Sequence, residues 1–244
     1  MRAWFVLGIS ALGLGEISSA GPQHFESGEE RVLLLELYTS QGCSSCPPAE
    51  RWLNGFELDE RLWKEIVPIA FHVDYWDRLG WKDPFASFEN TSRQYGQHQA
   101  GNVASVYTPG FVVNGKEWRG WFDRRDLPIA SGSPGNLSVS LDDGGFRAKF
   151  EGGSEAVRLN VAILGIDLRT KVTRGENLNR SLRQSFVSLA HQTFETSNGI
   201  WEGPLPLFDR SVADRFGIAV WITAKGELKP IQAVGAWLSL EALD

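Results

Sequence analysis

The chain is poor in the residues that carry metal and redox chemistry. It has two cysteines, one methionine and four histidines in 244 residues. The methionine is residue 1. The histidines, His24, His72, His98 and His191, do not stand at ligand spacing from one another. A structural zinc site needs four ligands, and nothing here supplies them. Soft thiolates suit copper(I), so the one metal reading is copper held by Cys43, Cys46 and a histidine. No long basic run occurs. Lysine and arginine total 24 against 30 acidic residues, a net charge of −6, which argues against a nucleic-acid partner. No stretch reaches the roughly 20 apolar residues of a membrane-spanning helix.

The first twenty residues have the layout of a secretory signal. Arg2 supplies the positive start, Ala3 to Leu14 the apolar middle, and Ser18-Ser19-Ala20 the small residues for cleavage. The expectation is an exported protein, periplasmic or secreted, with no stable membrane insertion. Only one disulfide is possible, and it would close a tiny loop. Loop entropy gives such a bridge little stabilising power. The cysteine pair is therefore read as chemistry rather than as a staple.

That pair is Cys43-Ser44-Ser45-Cys46. An apolar run from Val32 to Tyr38 leads into it, and a helical pattern from Ala49 to Trp63 leads out. Strand, short loop, Cys-x-x-Cys and helix is the layout of a dithiol redox site. A disulfide needs Cα atoms about 4.4–6.8 Å apart, which a turn opening a helix allows. Pro47 and Pro48 fit the first helical positions, so the helix starts near Pro47 with Cys46 at its cap. The prolines carry no N–H, leaving the Ser44 and Ser45 hydroxyls as replacement donors for the Cys43 thiolate. Glu36 interrupts the buried run. A buried acid needs a partner, and the dithiol follows seven residues later.

Further along, Ile66 to Val73 reads as a second strand. Residues 74–100 form an aromatic-rich insertion. Its first part, with Tyr75, Trp76 and Trp81, is either a surface loop or a groove wall beside the dithiol. Ser87 caps a helix running to Gln99. Phe111 to Val113 is a strand, Asn114-Gly115 a hairpin turn, Trp118 to Trp121 the returning strand, and Asp126 to Ala130 a helical turn. Ser131 to Gly135 reads as a linker. Beyond it, short strands separated by Asp143-Gly144-Gly145, Gly152-Gly153-Ser154 and Lys225-Gly226-Glu227 point to an antiparallel sandwich over 136–240.

The acid-bearing strand, Cys43-x-x-Cys46, the strand–helix alternation and Thr108-Pro109 before a strand together resemble the thioredoxin fold. The resemblance implies a cis proline at Pro109 opposite the dithiol, Thr108 pairing its backbone with a substrate peptide, and Glu36 as the acid that takes the proton of Cys46. This sequence has one extra residue between Glu36 and Cys43. Gly42 also replaces the tryptophan common before the first cysteine. Thr39 to Ala49 (TSQGCSSCPPA), His72 to Asp77 and Leu79-Gly80-Trp81 are similar to the signature of an uncharacterised family of secreted bacterial proteins. That family is described as thioredoxin-like with an added C-terminal domain.

The expected fold is thus an α/β thioredoxin-like domain over 30–130 followed by an antiparallel β-sandwich domain. The expected function is an exported thiol–disulfide oxidoreductase with Cys43 as nucleophile and Cys46 as resolving thiol. Glu36 assists, and Thr108, Pro109, Tyr75, Trp76 and Trp81 bind substrate. No cofactor is expected beyond the Cys43–Cys46 disulfide itself. The partners would be exported proteins with cysteines, or a redox partner protein. The alternatives are copper(I) handling and a partner-binding module with an inert disulfide.

Overall fold

Sheet dominates this fold. The structure, a computed structural model, describes residues 22–142, 144–153, 157–196 and 198–243. The signal reading of residues 1–20, and Asp143 and Ser154 of the expected turns, lie outside these residues.

The elements in chain order begin with β1 (Gln23–Glu26), β2 (Leu33–Thr39), α1 (Cys46–Asn54), β3 (Ile66–His72) and α2 (Phe88–Gln99). Then come β4 (Gly110–Val113), β5 (Lys116–Glu117), β6 (Leu137–Asp142), β7 (Gly145–Phe150), β8 (Val157–Ile166), β9 (Leu168–Lys171) and β10 (Ser181–Gln184). The last four are β11 (Val187–Glu195), β12 (Ile200–Pro204), β13 (Arg215–Ala224) and β14 (Pro230–Leu238). Both β2 and β3 are buried at every position. They pair in parallel, from Leu33 opposite Ile66 to Thr39 opposite His72. A parallel pair buried on both faces reads as a continuous apolar run, as both do here. α2 starts where Ser87 accepts a hydrogen bond from the Asn90 N–H, satisfying one of the free amides of the first turn.

The expected α/β thioredoxin-like domain with a separate sandwich behind it is overturned. The described residues form fourteen strands and only two α-helices. Eight of the strands make one mixed sheet, ordered β14-β13-β8-β11-β3-β2-β4-β5, so a single sheet runs through both halves of the chain. β11 makes the join. Val187 pairs in parallel with Ala70, and the Ala70 N–H donates to the Phe186 carbonyl at 2.7 Å.

The physical reason lies in β8 and β13. Their side chains alternate between two cores. Val157, Leu159, Val161 and Ile163, with Phe216, Ile218, Val220 and Ile222, face one core. Ala162, Leu164 and Ile166, with Ala219 and Trp221, face the core that also holds β2 and β3. A strand apolar on both faces must be covered twice. Each aliphatic side chain so buried contributes about 1.5–3 kcal/mol, so the second face cannot stay wet. The four-stranded sheet β1-β6-β7-β12 covers the first, and the N-terminal half covers the second. β7 shows the contrast. Phe146, Ala148 and Phe150 are buried while Arg147 and Lys149 are exposed, as expected of a sheet wet on one side.

Smaller expectations also change. β1 lies ahead of the first apolar run and pairs with β6. The strand returning after Asn114-Gly115 is only Lys116–Glu117, and residues 126–130 form no helical turn. The Gly/Ser stretch at 131–135 is tied down, because the Arg31 N–H donates to the Gly132 carbonyl at 3.0 Å and the Arg31 Nε to the Ser131 carbonyl at 3.0 Å.

Candidate dithiol site

The turn carrying the cysteines is closed by its own backbone. The Cys43 N–H donates to the Ser40 carbonyl at 3.1 Å, and the Cys46 N–H to the Cys43 carbonyl at 3.2 Å. α1 then begins, with Pro47 and Pro48 in its first turn. Cys43 and Cys46 are both free thiols and both buried. Ser45 makes no side-chain cap. Its hydroxyl lies 3.3 Å from the Cys43 sulfur instead. Across the site the Thr108–Pro109 peptide is cis, and the Thr108 carbonyl is 3.8 Å from the same sulfur.

These contacts split the two thiols. The hydrogen bond from Cys46 is the main force pulling Cys43 down to about 6. Burial opposes it, while Ser45 and Thr108 add to it. Cys46 is pushed well up, first by its burial, then by Cys43 and by the charge of Glu50. An acidic first thiol beside a protonated second one is the division of labour that thiol exchange requires.

The carboxylate of this site is Glu50, one turn into α1, rather than Glu36. Glu50 accepts from the Thr39 hydroxyl at 2.7 Å and from Gln184 Nε2 at 3.1 Å. Burial raises its pKa, with the nearby His72 charge working against the rise. Thr39 also draws the Cys46 pKa down against the larger upward effects, so its hydroxyl acts on both Cys46 and Glu50. Behind them His72 Nδ1 meets Asp83 Oδ2 at 2.7 Å, both side chains fully buried. Asp83 Oδ2 also accepts the Gln41 N–H at 2.7 Å, linking the pair to the dithiol turn.

Glu36 faces the other way. Arg93 grips it with two bonds, Nε to Oε2 at 3.1 Å and Nη2 to Oε1 at 3.0 Å, and the Tyr38 hydroxyl donates at 2.7 Å. The Arg93 guanidinium lies 5.1 Å from the Phe71 ring centre and 5.3 Å from that of Trp221 on β13. Glu36 thus joins the two halves of the core instead of the dithiol. Its signal in the sequence, an acid in a buried strand, could not say which face it served. Glu50 had a signal too, four residues after Cys46 and so on the same face of the helix.

The aromatic segment after β3 brackets the dithiol. Trp76 Nε1 donates to Thr108 Oγ1 at 2.8 Å, and Trp81 Nε1 to Gln41 Oε1 at 3.1 Å. Tyr75 turns its hydroxyl to Gln94 Oε1 at 3.2 Å. Gly42 is required where it stands, since a Cβ there would lie 2.9 Å from Trp76 Cβ. A cleft of about 580 Å³ lies beside the site, between Ser45 and Pro48 on one side and Thr108 and Pro109 on the other, with Trp121 and Phe122 also in its wall. Among the described residues, no group of three or more His, Cys, Asp or Glu is placed to hold a metal ion. No described helix is long and apolar enough to cross a membrane.

The chain is similar to a crystal structure of a protein from Agrobacterium tumefaciens, at 26% identity and a TM-score of 0.58, over 86% of this chain and 96% of that one. It also shares its fold with HBP35 of Porphyromonas gingivalis, at 12% identity and a TM-score of 0.55, over 87% of this chain and 76% of that one. No curated protein matches it. The model of one family, described as protein of unknown function (DUF1223), matches residues 34–223, and the chain belongs to that family.

Proposed function

We propose that this protein is an exported thiol–disulfide oxidoreductase acting on protein disulfides through Cys43 and Cys46. The observation that carries the reading is the placement of the pair, two thiols three residues apart at the start of α1 with the Ser45 hydroxyl 3.3 Å and the Thr108 carbonyl 3.8 Å from the Cys43 sulfur. The split it produces, Cys43 at about 6 and Cys46 pushed well up, supports it. The Cys43 thiolate attacks one sulfur of a client disulfide. That S–S bond breaks, a Cys43–client bond forms, and the client's other sulfur leaves as a thiolate. Cys46 then gives up its proton through Thr39 toward Glu50 and attacks Cys43. The client's second sulfur leaves, and a Cys43–Cys46 disulfide remains. Two electrons have passed from the protein to the client, and the reverse sequence oxidises a client dithiol. The cleft beside Thr108 and Pro109 supports the reading, because it offers room for an extended client segment next to the Cys43 sulfur.

The test is a trapping comparison. Cys46→Ala, expressed as the full chain, should accumulate disulfide-linked adducts on non-reducing gels, with free thiols blocked at lysis. Cys43→Ala should accumulate far fewer. If both variants fold and neither forms adducts, the oxidoreductase reading fails. A parent disulfide potential below about −300 mV, the range of inert structural bridges, would also defeat it.

A further inference from the structure

The amides around Cys43 can be counted one by one. The Cys43 N–H goes to the Ser40 carbonyl and the Cys46 N–H to the Cys43 carbonyl. Pro47 and Pro48 have none. The Ser45 backbone helps lower the Cys43 pKa, and its hydroxyl lies 3.3 Å from the sulfur. The Ser44 N–H goes outside the turn, to Glu176 Oε2 at 3.0 Å. Glu176 belongs to the tip between β9 and β10, in the C-terminal half. Its neighbour Asn177 is fully buried. Asn177 Nδ2 donates to the Gln41 carbonyl at 2.8 Å and to the Cys43 carbonyl at 2.9 Å. Asn177 Oδ1 accepts from Arg180 Nη1 at 2.7 Å. At Gly175, where φ is +75°, an added Cβ would press on Trp81 Cβ at 3.3 Å. The hairpin stem joins in, because Gln41 Nε2 donates to Thr170 Oγ1 on β9 and to Gln184 Oε1 on β10.

We propose that Asn177 and Glu176, at the β9–β10 tip, are positioning residues for the Cys43 nucleophile: Asn177 fixes the backbone that aims the sulfur, and Glu176 withholds the Ser44 amide from it. This rests on the oxidoreductase reading. It gives the C-terminal half a part in the chemistry. A regular helix N-terminus offers a thiolate several N–H groups. Here the prolines remove two and Glu176 takes another, so Ser45 alone is left among the backbone donors. Glu176 is exposed, and its bonds from Ser44 hold its carboxyl below the usual range, hence ionised. The other charged or titratable groups acting around Cys43 are Cys46 and Glu50 on α1, Tyr75 from the aromatic segment, and Asp83 through the Gln41 amide. A less acidic thiol is the stronger nucleophile once ionised, so withholding an amide trades thiolate fraction for reactivity.

The test is the rate of iodoacetamide alkylation of Cys43 against pH, in the reduced full chain. Glu176→Ala removes the acceptor, releasing the Ser44 amide, and removes a charge. Its midpoint should fall by about half a unit, roughly threefold more thiolate below the midpoint. Asn177→Asp keeps the contact with Arg180 but loses both donors. Its plateau rate should rise several-fold as the buried turn opens. Profiles for both variants that superimpose on the parent's overturn the proposal. If Asn177→Asp does not fold, Glu176→Ala decides alone, since truncating an exposed side chain leaves the fold intact. Exchange with a model disulfide is measured alongside. Shifted profiles with no exchange in the parent keep the positioning and sink the oxidoreductase reading. Exchange with unshifted profiles does the reverse.

Discussion

Arg93→Ala should be among the most damaging single substitutions in this chain, and the reason lies far from the dithiol. Its guanidinium is almost wholly buried and so is Glu36, with side-chain exposures of 7% and 1%. Two bonds join them, and the same guanidinium covers the rings of Phe71 and Trp221. Removing one partner of a buried pair leaves an uncompensated charge, at about 3–5 kcal/mol. Tyr38 and Gln97 still touch the orphaned carboxylate, which places the loss toward the lower end. Against a total stability of about 5–15 kcal/mol, that is a large fraction. Glu36→Gln strands the arginine and should cost a similar amount. The double change Glu36→Leu with Arg93→Met should recover most of the loss, because an apolar pair of similar volume is often as stable as a buried ion pair. The Tyr38 hydroxyl then lacks its acceptor, a residual cost of about 1–3 kcal/mol. Urea unfolding at equilibrium measures this, with an unchanged slope showing that only stability moved. A loss under about 1 kcal/mol for either single variant, the range of exposed pairs, would refute the reasoning. The alkylation midpoint of Cys43 should be the same in Glu36→Gln as in the parent, because Glu36 serves the other face of the sheet.

Two further outcomes follow from the buried groups behind the dithiol. Glu50→Gln should slow release of the Cys43–client mixed disulfide while leaving its formation unchanged; stopped-flow exchange with a model disulfide separates the two steps, and equal release rates would remove Glu50 from the proton path. His72 is pulled down by burial, but the charge and hydrogen bond of Asp83 outweigh that, and its pKa stands above 6.5. Burial pushes Asp83 up, yet His72 and two backbone N–H groups bring it below 3.8. The stability due to His72 is complete below 6.5 and fades as pH rises through its raised value. That due to Asp83 is complete above 3.8 and fades as pH falls through its lowered value. Urea midpoints should therefore show the pair's full support between 3.8 and 6.5, and an unchanged pH profile in His72→Gln with Asp83→Asn would count against it.

The local elements around the dithiol are legible in the residues themselves. Val32 to Tyr38 is apolar enough to demand a buried strand, two prolines place the start of α1, and Ser87 starts α2. These depend on neighbours in sequence, and sequence shows neighbours. The union of both halves into one sheet is different. β8 and β13 look like sandwich strands until both of their faces are weighed, and the second face is covered from the N-terminal half, by Arg93 of α2 over Trp221 and by Trp63 against Gly217. The partner of a buried charge is equally nonlocal. Glu36 found Arg93 and Glu50 found Thr39, although Glu36 and Glu50 both precede or follow the cysteines closely. Asn177 lies in a polar loop with no periodicity, and its two bonds reach back more than 130 residues to the Cys43 turn. The sequence alone determines where the two thiols stand and which strand and helix hold them. Tertiary packing decides which carboxylate, amide and hairpin tip surround them, because a buried polar group must find its partner wherever the fold brings one.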